Sequence, residues 1–294
     1  MFIVNCGHLK SAVMKKITLS LLFATAVLTS ASAQELKLPS LSPSAKLTQE
    51  FSTSNIEISY SRPSMRGRKI FGDVVAYNDV WRTGANSATK LKFGEDVTVG
   101  GQEVKAGEYA LYTIPGRDNW EIILNKGTGN WGQMGYDKKD DVARFLVKPQ
   151  QLGNEVSTFT MNIANITFNT CQIELMWEKT KVVIPVKANN QERLNAAIDK
   201  AINKPAIPYY QAASYYYETG GDMNKAMEYV NKALGQNPNA FWIYALKARI
   251  AQRQGDRETA IAAANQSMEL AKGSAFEAEY KRNNERIIKS FSRR

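Results

Sequence analysis

Histidine is almost missing from this chain, which holds one, His8, and cysteine is scarce, with Cys6 and Cys171 alone. Both His8 and Cys6 precede a segment with the marks of a secretory leader. Met14-Lys15-Lys16 gives a basic start, Ile17 to Leu28 is an apolar run, and Ala31-Ser32-Ala33 supplies a small-x-small cleavage pattern before Gln34. The expectation is therefore a signal peptide over residues 1–33, with 1–13 as an upstream extension, and a periplasmic or secreted mature chain. Cleavage there removes the histidine and leaves one thiol. Ser–His–Asp and Cys–His catalysis and histidine-dependent zinc sites are then excluded, and a lone cysteine forms no internal disulfide. After the leader, no apolar run approaches the roughly 20 residues that cross a bilayer as a helix. No glycine-rich phosphate loop opens a helix after a strand, so no cofactor is expected.

What remains is basic. The formal charge of the whole chain is +10, and cleavage removes Lys10, Lys15 and Lys16 with no acid. That excess favours anionic partners, such as acidic glycans, phosphate-bearing groups or membrane surfaces, or is simply an ordinary basic surface. Export makes nucleic acid an unsuitable partner. Cys171 lies in the alternating run Cys171-Gln-Ile-Glu-Leu-Met-Trp177, on one strand face with Ile173 and Leu175, where a buried, inert thiol is expected.

Two halves differ in period. Residues 34–45 form a Pro/Ser-rich linker, and 46–187 alternate with period two. The runs include Ile56, Ile58 and Tyr60, then Leu91 and Phe93, Tyr109, Leu111 and Thr113, Phe159, Met161 and Ile163, and Val182, Ile184 and Val186. Val99-Gly-Gly-Gln102 fits a two-residue hairpin turn, and Pro115-Gly-Arg-Asp118 a second turn. Nine or so short strands predict an antiparallel β-sandwich or barrel, with Pro185 suggesting that the last strand is an edge.

From Gln191 the period becomes helical, and residues 191–294 form the second module. Gly221-Asp222 recurs as Gly255-Asp256, Ala226 as Ala260 and Tyr210 as Tyr244. This offset resembles the tetratricopeptide repeat, a helical hairpin unit. Two copies with flanking helices, Gln191–Asn203 and Ser274 to about Ser290, predict a short α-solenoid. The fold class is thus α+β in two modules. The repeat pattern places Tyr210 and Tyr217 in the helix–helix core. It implies that Gln211, Tyr215, Glu218, Trp242, Arg249 and Gln252 face a concave groove suited to a protein or peptide partner, unless the array only caps the β module.

The non-alternating stretches of the β half are rich in Arg, Trp and Asn. Tyr60-Ser-Arg-Pro-Ser-Met-Arg-Gly-Arg-Lys-Ile-Phe-Gly72, Trp81-Arg-Thr-Gly-Ala-Asn86, Ala106 to Gly116, Trp120 to Asn125 and Trp131-Gly to Tyr136 occur in order. In these motifs, residues of about 40–187 resemble the bacterial family known as domain of unknown function 2911. The resemblance implies an exported all-β domain and assigns it no activity. Physically, Arg62, Arg66, Arg68 and Arg82 offer forked donors to carboxylate or phosphate. Trp81, Trp131 and Tyr136 offer flat faces, and Asn86 and Asn125 offer orienting hydrogen bonds. The same residues can equally serve backbone carbonyls and the core.

Glycoside hydrolysis needs only two carboxylates. Asp73, Asp79, Glu108, Glu121 and Asp137 are available, but their spacing pairs none of them. Asp137, Asp140 and Asp141 lack the glycine bend of a calcium loop, and Lys138 and Lys139 intervene; no metal is expected. The leading expectation is an exported non-catalytic binding or scaffold protein, its β domain taking a polar or anionic cell-envelope ligand and its repeats a protein partner. The alternatives are a metal-independent glycan hydrolase and a purely structural envelope protein.

Overall fold

The computed structural model describes residues 38–202 and 208–292; the expected leader lies outside them. Ten strands come first: β1 Ser44–Phe51, β2 Ser54–Ser61, β3 Thr89–Phe93, β4 Val97–Val99, β5 Gln102–Val104, β6 Gly107–Ile114, β7 Trp120–Asn125, β8 Asp141–Val147, β9 Gln150–Ala164 and β10 Thr170–Ala188. They make two antiparallel sheets, ordered β1-β2-β3-β6-β7-β8 and β5-β4-β10-β9. Alternation explains why. Ile56, Ile58 and Tyr60 point inward from β2 while their neighbours are half-exposed, and Ile58 pairs with Leu91, which pairs with Tyr109. Phe159, Met161 and Ile163 of β9 and Cys171, Ile173 and Leu175 of β10 close the core from the other sheet. Stacked sheets bury such rows face to face.

The centre of the sandwich is aromatic. Phe71 lies edge-on to Trp81, Trp120 and Trp177, and the Trp81 and Trp177 rings stack with centroids 5.9 Å apart. Each such pair contributes about 0.5–1.5 kcal/mol beyond the area it buries.

Gly100 (φ 58°) and Gly101 (φ 86°) form the β4–β5 turn, with Val99 opposite Gln102. Both φ angles are positive, as a primed hairpin turn requires. The Gln102 amide then bonds both backbone groups of Arg144, tying this hairpin to the β8 edge of the other sheet.

Three details depart from the sequence reading. Strands β9 and β10 are long, at 15 and 19 residues. Strand β10 is not an edge; it lies between β4 and β9. Pro185 is tolerated because its pairing with β9 has ended at Lys181, and its carbonyl accepts from Gly100 N. The third departure is on the outer face of the larger sheet, where Ala110, Tyr112 and Ile123 are buried as well. The segment 126–140 folds over them, held by Asn125 Nδ2 to Asp137 O at 2.9 Å and Asn130 Nδ2 to the Tyr112 hydroxyl at 3.2 Å.

Six helices follow: α1 Gln191–Ile202, α2 Tyr209–Glu218, α3 Met223–Gln236, α4 Phe241–Gln254, α5 Arg257–Ala271 and α6 Glu277–Ser290. The repeated aspartate caps the second helix of each hairpin. Asp222 accepts from Asn224 N and Lys225 N, and Asp256 accepts from Thr259 N. Left-handed glycines end the first helices, Gly255 (φ 79°) after α4 and Gly220 (φ 65°) after α2. Fully buried Ala226, Ala248, Ala260 and Ala264 let paired helices approach closely.

The modules meet at Asn190. Its amide donates to Glu95 and to the Ser52 hydroxyl, both at 2.7 Å, while Arg193 donates to Glu95 at 3.0 Å. The Phe168 and Tyr215 rings add an apolar contact, 6.0 Å between centroids.

Candidate functional site

Several concavities of similar size open among the described residues, and two of them, one in each module, gather expected site residues. The first, about 410 Å³, opens in the sandwich beside the connection between β2 and β3. Trp81 forms its floor with Trp177. A short bridge holds Trp81 in place, its N–H donating to Thr113 O at 2.8 Å and its carbonyl accepting from Thr113 N at 2.9 Å. The indole N–H donates to Gly84 O at 3.1 Å. Arg82 and Arg68 line the walls, with Asp73 and Asp79 at the solvent side. Arg82 donates through Nη1 to Asn86 O at 3.2 Å, but its buried Nε has no partner among the described residues. A buried donor left unpaired is costly, and a bound acceptor would relieve it.

The other expected ligand residues of this module have structural jobs. Arg62 bonds Phe159 O and Thr160 Oγ1, stapling β2 to β9. Arg66 donates to Leu41 O, and Asn86 Nδ2 donates to Ser42 O and Ser61 Oγ. Asn125 is fully buried, donating to Asp137 O and Asp141 and accepting from Gly127 N. Tyr136 packs on Tyr112, donates to Asp141 and accepts from Arg144. Burial there works to lower the Arg144 pKa, but the Glu121 and Asp141 carboxylates outweigh it and raise it. Trp131 is 60% exposed, away from the pocket. The expected cluster of Arg62, Arg66, Arg68, Trp81, Arg82, Asn86, Asn125, Trp131 and Tyr136 is thus dispersed, and Arg68, Trp81 and Arg82 alone line the concavity. Trp177 was legible only as a core position of β10, and nothing in its alternation marks it as pocket floor.

The second concavity, about 400 Å³, is a groove along the first helices of successive hairpins: α2, α4 and then α6, which stands where a third repeat would begin. Trp242, Arg249 and Gln252 line it as expected from the repeat pattern. Glu218 sits beside it, 3.6 Å from Arg249. Gln211 is exposed and does not line it. Tyr215 is buried against Phe168 of the sandwich and against Tyr216, so it cannot serve the groove. Tyr210 and Tyr217, expected in the core, pack against it half-buried and also form groove wall. Arg249 and Arg253 lie over the Tyr217 ring, 5.2 and 4.2 Å from its centroid.

The fold is therefore a ten-stranded β-sandwich joined to a stack of helical hairpins. Residues 42–186 match the family described as "Protein of unknown function (DUF2911)", the likeness that the β-half motifs carry. Residues 135–274 match "N-terminal acetyltransferase A, auxiliary subunit", a family containing tetratricopeptide repeats; this match overlaps β8–β10 and runs through α5. The comparisons with curated proteins and with solved structures return no match. A domain of unknown function followed by a tetratricopeptide-like region is the composition of a protein-interaction scaffold. Among the described residues, no helix is long and apolar enough to cross a membrane.

Proposed function

We propose that this protein is an exported, non-catalytic scaffold whose helical groove holds a segment of a protein partner. The observation that carries this reading is the groove itself. Three successive first helices present Trp242, Tyr217, Arg249 and Tyr280 along one concavity, where their rings and guanidinium are only partly used by the fold. Stacked hairpins create extended surfaces of this kind. The test is selection of a random peptide library on the chain, repeated on Trp242→Ala. Peptides enriched on the first and lost on the second are expected. No enrichment on either would end the reading.

The sandwich pocket takes a small polar ligand with an anionic group set against Arg82, its flat part on the Trp81–Trp177 floor. Acidic glycans and phosphate-bearing envelope groups share that chemistry. A ligand that binds the folded state raises its apparent stability. A thermal shift with uronic acids or inorganic phosphate, absent from Arg82→Ala, is the expected result. Export through a leader over residues 1–33 would put this chemistry in the periplasm or outside the cell, and a mature amino terminus at Gln34 is the measurement that checks it.

One observation favours a hydrolase as a second reading: Asp73 and Asp79 lie in the same pocket. Both are exposed to solvent, whereas a general acid is normally buried to stay protonated near neutral pH. Glycan turnover lost in both Asp73→Asn and Asp79→Asn would establish it over binding.

A further inference from the structure

We infer that the uncovered half of the larger sheet's outer face is a separate ligand site, which holds a carboxylate-bearing oligosaccharide against the exposed indole of Trp131. The inference depends on neither the helical groove nor the sandwich pocket.

The site begins at a step in the sheet. The segment 126–140 covers the outer face over β6 and β7, where Ala110, Tyr112 and Ile123 are buried. The outer face of β1, β2 and β3 is left open, with Ser44 and Lys46 exposed and Ser59 and Lys90 half-buried. A concavity of about 340 Å³ lies at this step. Lys46 pairs with Ser59, and Ser59 with Lys90, so the three side chains share one face in a single rung across the strands. Ser44 and Ser87 complete the lining.

Backbone pairing brings Trp131 to the same place. Ser87 and Trp131 form an isolated antiparallel bridge. Its hydrogen bonds flank the pair, from Gly132 N to Asn86 O at 3.1 Å and from Ala88 N to Asn130 O at 3.5 Å. This is the closely spaced kind of pair, in which both side chains stand together on one face. Ser87 lines the concavity, so the indole stands at its rim. Asn130, one residue earlier, ties this ridge down through its bond to the Tyr112 hydroxyl. Trp81, Trp120 and Trp177 are buried in the core, whereas Trp131 is 60% exposed on a backbone the fold already holds. A flat side chain fixed in this way loses little freedom when a ligand covers it.

Three features set the ligand class. The indole face is apolar and electron-rich, and the C–H face of a pyranose ring is apolar and weakly positive, so the two stack. The Ser44, Ser59 and Ser87 hydroxyls have no partner among the described residues, and each can both give and accept, as sugar hydroxyls require. The charged residues of the lining are both lysines. Their partners, Glu57 and Glu108, lie outside the concavity, and surface ion pairs of this kind are weak enough to yield to a ligand. A carboxylate on the sugar is therefore favoured over a neutral ring.

The experiment titrates the full chain with oligogalacturonate, oligoguluronate and oligoglucuronate, and with each of them after reduction of its carboxylates to alcohols. At least one acidic form is expected to bind, about tenfold more tightly than its reduced form, by a margin that shrinks as salt is added. Trp131→Ala should lose about tenfold in affinity with an unchanged unfolding midpoint, because the ring is exposed. Ser59→Tyr, which fills the concavity from the outer face of β2, should lose as much. Replacing Lys46 and Lys90 together by glutamine should make acidic and reduced forms bind alike. Arg82→Ala should bind as wild type does, which separates this site from the sandwich pocket. Binding that is weakened by Arg82→Ala yet untouched by Trp131→Ala and Ser59→Tyr overturns the inference and moves the ligand to that pocket. Equal affinity for acidic and reduced forms in the wild type, or no binding of any acidic form, overturns it too and leaves the groove reading to its own test.

Discussion

Asn190 Nδ2 lies 2.7 Å from a carboxylate oxygen of Glu95, so the residue just before α1 is pinned to the turn between β3 and β4. The same carboxylate accepts from Thr53 N, Thr53 Oγ1 and Arg193. Its side chain is 12% exposed. Burial pushes its pKa up, but these donors outweigh burial and hold it below the ordinary carboxylate value. A carboxylate depressed in the folded state contributes stability that is full above its unfolded pKa. That contribution fades as pH falls through the folded value. Glu95→Gln should therefore unfold at lower temperature than wild type at neutral pH, by about 1–3 kcal/mol of stability. The gap should close on acidification below the ordinary carboxylate range. Thermal unfolding across that pH range checks it, and a gap that stays constant or widens in acid would refute the assignment.

Much of the architecture was legible because inner sheet faces and helix pairs impose strict periods. Ile56-Glu57-Ile58 announces its buried face, and the recurrence of Gly-Asp announces the hairpins. The outer-face cover of the larger sheet was not legible, because Tyr112 and Ile123 are buried by an irregular segment that has no period to read. The arginines were ambiguous for a chemical reason. A guanidinium satisfies carbonyls as readily as it binds anions, and only the fold shows that Arg62 meets Phe159, 97 residues away. Tyr215 misled for another reason. The repeat pattern fixes its helix face but says nothing of the sandwich docked there.

The two capping aspartates offer a matched pair. Asp222 serves two backbone donors at the start of α3, and Asp256 serves one at the start of α5. Each mutation to alanine should cost about 1 kcal/mol. Because the caps sit in different hairpins, their costs should add in the double variant. Chemical denaturation of the four proteins checks this. A double variant no less stable than either single one would show that the hairpins do not unfold together.

Cys171 is buried beside Ile173 on the inner face of the smaller sheet. Burial pushes its pKa up to about 12. The thiol should stay unreactive to an aromatic disulfide reagent at mildly alkaline pH and react fully once guanidinium unfolds the chain. Rapid labelling of the native protein would mean that β10 opens on its own, at a free energy well below global unfolding.

Gly132 sets the position of Arg82, and through it the shape of the sandwich pocket. Its φ is 67°, and a Cβ built there would stand 2.6 Å from Arg82 Nη1. Gly132→Ala therefore meets two penalties. The left-handed backbone costs a residue with a side chain about 1–2 kcal/mol. The methyl group also displaces the guanidinium and strains its bond to Asn86 O. Only the second penalty depends on Arg82. In an Arg82→Ala background the same glycine mutation should cost less, leaving the backbone term alone. A double-mutant cycle by thermal unfolding measures the difference directly. Equal costs in the two backgrounds would place the guanidinium away from Gly132 and remove Arg82 from the pocket wall.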